Sequence, residues 1–169
     1  VFGICGGLQM IGKSLEDPYK KENINELSSF SGIGINLLPI KTTFRKIKNT
    51  SQREEIVLWP EKETIKGFEM HYGETYLINK KSSDVFSLFE NTSLGWVLEK
   101  KDKSFIGGTY LHGIFENDKW RRQWINKIRQ KKGLSKLILN EENNHDKRER
   151  LLDLLTDSFE ENINIEKII

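Results

Sequence analysis

The segment Phe2-Gly3-Ile4-Cys5-Gly6-Gly7-Leu8-Gln9-Met10-Ile11 carries the chain's single cysteine, with Gly3 and Gly7 around it as G-x-C-x-G. That is the spacing of a nucleophile elbow with a thiol in place of a hydroxyl. An apolar run (Val1, Phe2, Ile4) leads into it, and Leu8, Met10 and Ile11 lead out at helix-compatible spacing. A strand that turns directly into a helix holds its nucleophile in strained backbone geometry, and glycines on both sides avoid clashes. The first amides of the following helix favour thiolate over thiol and bind a developing oxyanion. The competing reading is a buried structural cysteine. Gly3, Gly6 and Gly7 packed around Cys5 turn the reading toward chemistry.

A cysteine nucleophile needs a base, supplied from elsewhere in the fold. The chain has three histidines. His145 lies in a polar stretch and reads as surface. His71 lies in an alternating segment, residues 66–75, where it shares one strand face with Glu69; a solvated face is the simplest account of that pair. His112 follows an apolar run, residues 105–111, and precedes Gly113. Open α/β sheets place their sites at such strand ends, so His112 is the candidate base. One cysteine and scattered histidines do not make a tetrahedral zinc set, and no structural metal is expected.

The elements that must position these groups are legible in outline. A helix is predicted over 8–15, stopped near Glu16-Asp17-Pro18. Residues 19–31 read as polar loop, and 32–40 as a turn with core contacts. Strands are predicted at 54–59, 66–75, 85–89, 95–98 and 105–111, with a polar turn at 100–103. Asn117 or Asp118 caps a helix over 119–132 that Gly133 stops, with Trp120, Trp124, Ile125 and Ile128 on its core face. A loop over 140–144 leads to a last helix, residues 146–159, with Leu151, Leu152, Leu154 and Leu155 inward. Intermixed strands and helices argue an α/β or mixed sheet with helices packed on it.

Composition excludes several classes. The 169 residues suit one domain. Charged residues are 31% and the formal net charge is +2. No strong field therefore argues for nucleic acid or membrane. No apolar run reaches membrane-spanning length. A single cysteine fits a reducing compartment, the cytoplasm. The chain begins at Val1, inside a strand, and reads as the C-terminal part of something longer.

The elbow residues Gly3 to Met10 resemble the nucleophile segment of the class I, triad-type glutamine amidotransferases. More narrowly, several blocks resemble the C-terminal amidotransferase-like domain of the cobyric acid synthase family. They are the elbow, Gly32-Ile33-Gly34 with Thr42-Thr43-Phe44, Phe68-Glu69-Met70-His71-Tyr72-Gly73-Glu74-Thr75, Gly95-Trp96-Val97, and Gly108-Thr109-Tyr110-Leu111-His112-Gly113-Ile114-Phe115-Glu116-Asn117-Asp118. The resemblance covers essentially the whole chain: residues 1–132 with the elbow, sheet and His-bearing strand, and 133–169 as a helical tail. It implies an α/β amidotransferase-like fold, a mixed or parallel central sheet flanked by helices, with the first strands of the domain missing.

The resemblance implies glutamine hydrolysis at Cys5 through a glutamyl thioester, with His112 as base. It implies Gly6 as the oxyanion amide and Gln9 as a holder of the substrate glutamine. The ammonia would serve an upstream synthetase domain that binds ATP and Mg2+ and amidates carboxylates on a corrin ring; this segment itself would bind no cofactor. Triad amidotransferases carry Glu two residues after the His, where this chain has Ile114, and Glu116 lies two further on. A Cys–His dyad is therefore expected, with slower glutaminase chemistry. Loss of an orienting carboxylate costs as much as ~10⁴ in turnover. The same elbow and Tyr110-Leu111-His112-Gly113 also resemble the amidotransferase subunit that amidates cell-wall lipid II, and a non-catalytic scaffold of the same fold is the third reading. With upstream strands absent, the strand through Val1–Ile4 would expose an unpaired edge and the oxyanion hole would lack a donor, so the isolated chain is expected to be poorly soluble or only partly folded, and without glutaminase activity.

Overall fold

In the computed structural model, which describes residues 1–21, 29–78, 84–102, 104–138 and 144–162, the N-terminal apolar run forms strand β1 (Phe2–Ile4). After Cys5 comes a short helix, α1 (Gly6–Ile11). The other strands are β2 (Ser14–Asp17), β3 (Phe30–Ile33), β4 (Ile40–Val57), β5 (Glu63–Leu77), β6 (Val85–Ser87), β7 (Gly95–Glu99) and β8 (Phe105–Thr109). Two further helices are α2 (Asp118–Lys131) and α3 (Asn144–Asn162). Two compact units result, Val1–Lys136 and Leu137–Ile169.

The strands of the first unit make two four-stranded mixed sheets, β1-β8-β7-β6 and β3-β2-β4-β5. β1 runs parallel to β8, and β2 parallel to β4; the other pairs are antiparallel. The α/β class is as expected, but two sheets stand where one central sheet was anticipated. The second sheet is dominated by a hairpin that the sequence shows only in pieces. Residues 32–40 and 54–59 look like separate segments because 41–53 is polar apart from Phe44 and Ile47. Residues 40–57 are one strand because β5 pairs along it, from Ile40↔Leu77 to Val57↔Glu63. Where register shifts between Phe44 and Asn49, residues 45–48 bulge out opposite Tyr72. Bulges re-aim side chains next to sites.

The helix predicted over 8–15 stops at Ile11. Gly12 is extended although its N–H still reaches the Gln9 carbonyl at 3.2 Å. Beyond it, Ser14 pairs with Ile33 on one side and Lys41 on the other. Two ladders outweigh one more helical turn, and tertiary context overrides local propensity.

The faces of β5 also reverse expectation. Ile65, Glu69, Gly73 and Thr75 point inward, whereas Phe68, Met70 and Tyr76 are exposed. Glu69 is only 4% exposed, so its face is not solvated. Its carboxylate accepts from Asn49 Nδ2 at 2.5 Å, Ser51 Oγ at 3.3 Å and Arg53 Nη2 at 3.0 Å, all donors on β4. A buried carboxylate persists only when paired in this way.

An aromatic cluster anchors β1. Phe2 lies 5.8 Å from both Phe115 and Trp120 and 6.3 Å from Trp124, centroid to centroid. Trp120 is fully buried and its Nε1–H donates to the Trp59 carbonyl at 2.9 Å. Ile125 and Ile128 are only half-buried, and Gln123 is the buried residue between the tryptophans. Asn117 occupies the N-cap position without a capping side-chain bond. Its side chain instead fastens the loop to β5, as described below.

In the second unit α3 begins at Asn144, so His145 belongs to its first turn rather than to a loop. Leu151, Leu152, Leu154 and Leu155, expected inward, are exposed. α3 is the only regular element described in that unit, so nothing described there buries its apolar residues. Residues 22–28 of the anticipated first loop, Lys103 of the polar turn and residues 140–143 lie outside the described residues.

Trp120→Ala is expected to cost about 3–5 kcal/mol, the range for emptying a buried aromatic site. The check is the midpoint shift in urea unfolding; a loss under about 1 kcal/mol, well below that range, would mean that the cluster does not anchor this unit.

Candidate active site

The elbow forms where β1 passes into α1 through Cys5 alone, with the start of the helix packed directly on Gly3. Cys5 adopts φ 52°, ψ −110°, a positive-φ conformation that L-residues rarely take and that marks stored strain. A Cβ on Gly3 would lie 2.4 Å from the Gly7 carbonyl carbon and 2.6 Å from the Leu8 nitrogen. Gly3 is therefore required by close approach. Gly6 and Gly7 are not, since a Cβ on either meets nothing within 4 Å. Steric need thus acts on one flank of the cysteine rather than both. The Cys5 N–H continues the β1–β8 ladder to the Thr109 carbonyl at 2.8 Å, and its sulfur lies 3.8 Å from the Met70 carbonyl on β5.

His112 stands three residues beyond β8, whose Thr109 pairs with Ile4. Parallel pairing therefore brings Cys5 and His112 to the same end of neighbouring strands. β5 contacts both. Phe68 and His112 exchange backbone bonds, N–H to carbonyl at 3.1 and 2.8 Å, and the Phe68 ring stacks on the imidazole at 5.0 Å and 11°. Gly113, at φ 77°, turns the chain directly after His112. Asn117 then clamps the turn: its Oδ1 accepts from the Lys66 N–H at 2.9 Å, and its Nδ2 donates to the Lys66 carbonyl at 2.8 Å and the Gly113 carbonyl at 3.1 Å. Ile114, at the place of a triad carboxylate, is fully buried in the core, and Glu116 is exposed.

Cys5, Gly6, Gln9, Met10, Asp17 and His71 are among the residues that line one cavity of 610 Å³, with Phe44, Lys48, Met70 and Tyr72 on its walls. Gln9 is no surface amide: it is 6% exposed and its Nε2 donates to the Tyr110 hydroxyl at 3.2 Å. That hydroxyl lies 2.6 Å from Thr75 Oγ1, itself 2.6 Å from Thr42 Oγ1. Burial pushes the Tyr110 phenol above its ordinary value, so it stays protonated and can serve this chain.

His71 is the neighbour that sequence reasoning undervalued. Its ring stacks on Tyr110 at 3.6 Å, and its Nδ1–H donates to the Gly73 carbonyl at 2.7 Å, which leaves Nε2 as an acceptor. Nε2 of His71 and of His112 are both buried without a hydrogen-bond partner among the described residues. Burial lowers the His71 pKa below its ordinary 6.5; the charges of His112 and Arg53 act the same way, against the Gly73 bond and Glu69. Asp17, read from sequence only as a helix stop, is buried to 1% exposure on the cavity wall. Only its burial, which depends on β2 forming, reveals it. Among the described residues no His, Cys, Asp and Glu group could hold a metal ion, and no helix is long and apolar enough to cross a membrane.

A cysteine elbow leading from a strand that is paired in parallel with a histidine-bearing neighbour defines an α/β domain built on the amidotransferase plan. The chain belongs to the family of CobB/CobQ-like glutamine amidotransferase domains, whose model matches residues 1–120. It is 75% identical over 169 residues to a cobyric acid synthase from Prochlorococcus marinus strain NATL2A, covering all of this chain and 34% of that protein. It is 44% identical over 170 residues to the cobyric acid synthase of Prochlorococcus marinus strain MIT 9313, with the same coverage. The chain thus spans about a third of the length of these relatives.

The lowered pKa of His71 sets a pH dependence. With a folded value below the unfolded 6.5, the unfolded chain binds the proton first, so the contribution of His71 to stability is level well above 6.5 and is lost as pH falls from there through the folded value. NMR titration of the imidazole protons should place the His71 midpoint below 6.5; a midpoint above it would contradict this packing.

Proposed function

We propose that this chain is the glutamine-hydrolysing part of a cobyric acid synthase. The Cys5 thiolate attacks the side-chain carboxamide carbon of glutamine, and His112 takes the thiol proton and delivers it to the departing ammonia. Water, deprotonated by His112, then cleaves the glutamyl thioester and releases glutamate. The Gly6 amide donates to the oxyanion, and Gln9, held by Tyr110, helps fix the substrate amide. The ammonia passes to the remainder of the full-length protein. There, ATP with Mg2+ activates corrin side-chain carboxylates, converting adenosylcobyrinic acid a,c-diamide to adenosylcobyric acid in cobalamin biosynthesis.

The observation that carries this reading is the strained backbone of Cys5 on the wall of a cavity it shares with Gln9. Strain of this kind persists only where the surrounding structure enforces it, and it gathers at sites that use it. The end-to-end likeness to cobyric acid synthases supports the choice of acceptor over lipid II. Ile114 in the core and Glu116 in solvent support a dyad rather than a triad.

In the full-length protein, Cys5→Ser is expected to abolish glutamine-dependent amidation and to leave ammonia-dependent amidation largely intact. Glutamine-driven turnover in that variant would refute the assignment. Glu116→Gln should cost less than about tenfold in glutaminase turnover, whereas His112→Ala should cost ~10³ or more, the scale of losing a general base. Equal losses would make Glu116 a displaced triad member.

A further inference from the structure

We infer that Asp17 and Lys48 are the two charges that bind the amino-acid head of the substrate, Asp17 taking the α-ammonium and Lys48 the α-carboxylate. The inference rests on the reading of this cavity as a glutamine site. Among the described residues that line it, Asp17 is the only carboxylate and Lys48 the only permanently cationic side chain. A thiol for the amide end, one anion and one cation match the three polar parts of free glutamine. A side-chain amide alone would need neither charge.

The two groups reach the cavity by different routes. Asp17 ends β2 and is buried, with Oδ1 accepting the Lys21 N–H at 2.9 Å. A carboxylate offers about four lone-pair positions, so it can accept from an ammonium beside the bonds it already makes. A buried carboxylate also gains most from a cationic guest, since water screens the pair least there. Lys48 sits in the bulge of β4, exposed, with its ammonium 5.7 Å from the Tyr72 ring centroid. Lys21 lies on the same ring at 5.6 Å. Tyr72, also on the cavity wall, therefore positions Lys48 at the rim by cation–π attraction while leaving its donors for a carboxylate.

The test compares two reagents that alkylate thiols in the full-length protein, read by mass spectrometry of the Cys5 peptide. 6-Diazo-5-oxo-L-norleucine carries the glutamine head; iodoacetamide does not. Asp17→Asn and Lys48→Met should each slow labelling by the diazoketone about tenfold or more, the loss expected for a charge-assisted contact. Both should leave iodoacetamide labelling within about twofold, since neither removes a contact that this reagent makes. Equal diazoketone rates in wild type and Lys48→Met, or parallel changes with both reagents in Asp17→Asn, would overturn the inference. If Asn at position 17 unfolds the protein, the exposed Lys48→Met variant decides the matter alone. No Cys5 labelling by the diazoketone in wild type would instead refute the glutamine-site reading itself, and with it this one.

Discussion

The site depends on one close approach: the Gly3 backbone lies against the Gly7 carbonyl with no room for a Cβ. Because of it, β1 turns into α1 within a single residue, and that residue, Cys5, takes the strained conformation. The approach is held from beneath by Phe2 in its cluster with Phe115, Trp120 and Trp124. It is held from the side by β8, where a Cβ on Gly108 would lie 2.6 Å from the Gly3 carbonyl oxygen. Core packing of a helix far along the sequence thus fixes the geometry of the thiol. Local strain of about 1–3 kcal/mol is tolerable in a domain whose aromatic core over-determines the backbone.

β5 does the remaining work of assembly. One of its faces reaches the site through Phe68, stacked on His112, and Met70 and Tyr72 on the cavity wall. Its other face carries Glu69 and Thr75 into a polar interior, while His71 also lines the cavity. Around residues 68–72 the strand turns a carboxylate inward and apolar side chains outward, and two of those, Met70 and Tyr72, line the cavity rather than meeting open solvent. The two sheets are also joined directly, since the backbone of Phe68 pairs with that of His112, just beyond β8.

Much of this was legible in the sequence, for specific reasons. Glycine spacing around Cys5 points to the elbow, and at Gly3 the reason is steric, since no side chain fits against Gly7. The run ending at His112 was legible because a buried strand is continuously apolar. What was not legible depended on pairing between distant segments. The reach of β4 through residues 45–53, the strand at Ser14–Asp17 in place of a helical turn, and the burial of Glu69 all come from neighbours that no local pattern encodes. Asp17 and His71 entered the site for the same reason: each looked like punctuation or a wet face until its partner strand was in place. In α3 the spacing predicts inward leucines that are in fact exposed, because amphipathic spacing says which residues share a face, not whether anything covers it.

The most direct test of the account is to look for the intermediate on the sulfur. Full-length protein mixed with glutamine and quenched in acid within milliseconds should yield a Cys5 peptide carrying a glutamyl thioester, and Cys5→Ser should yield none. Rapid consumption of glutamine with no glutamyl group on Cys5 at any quench time, or with that group on another residue, would contradict the account.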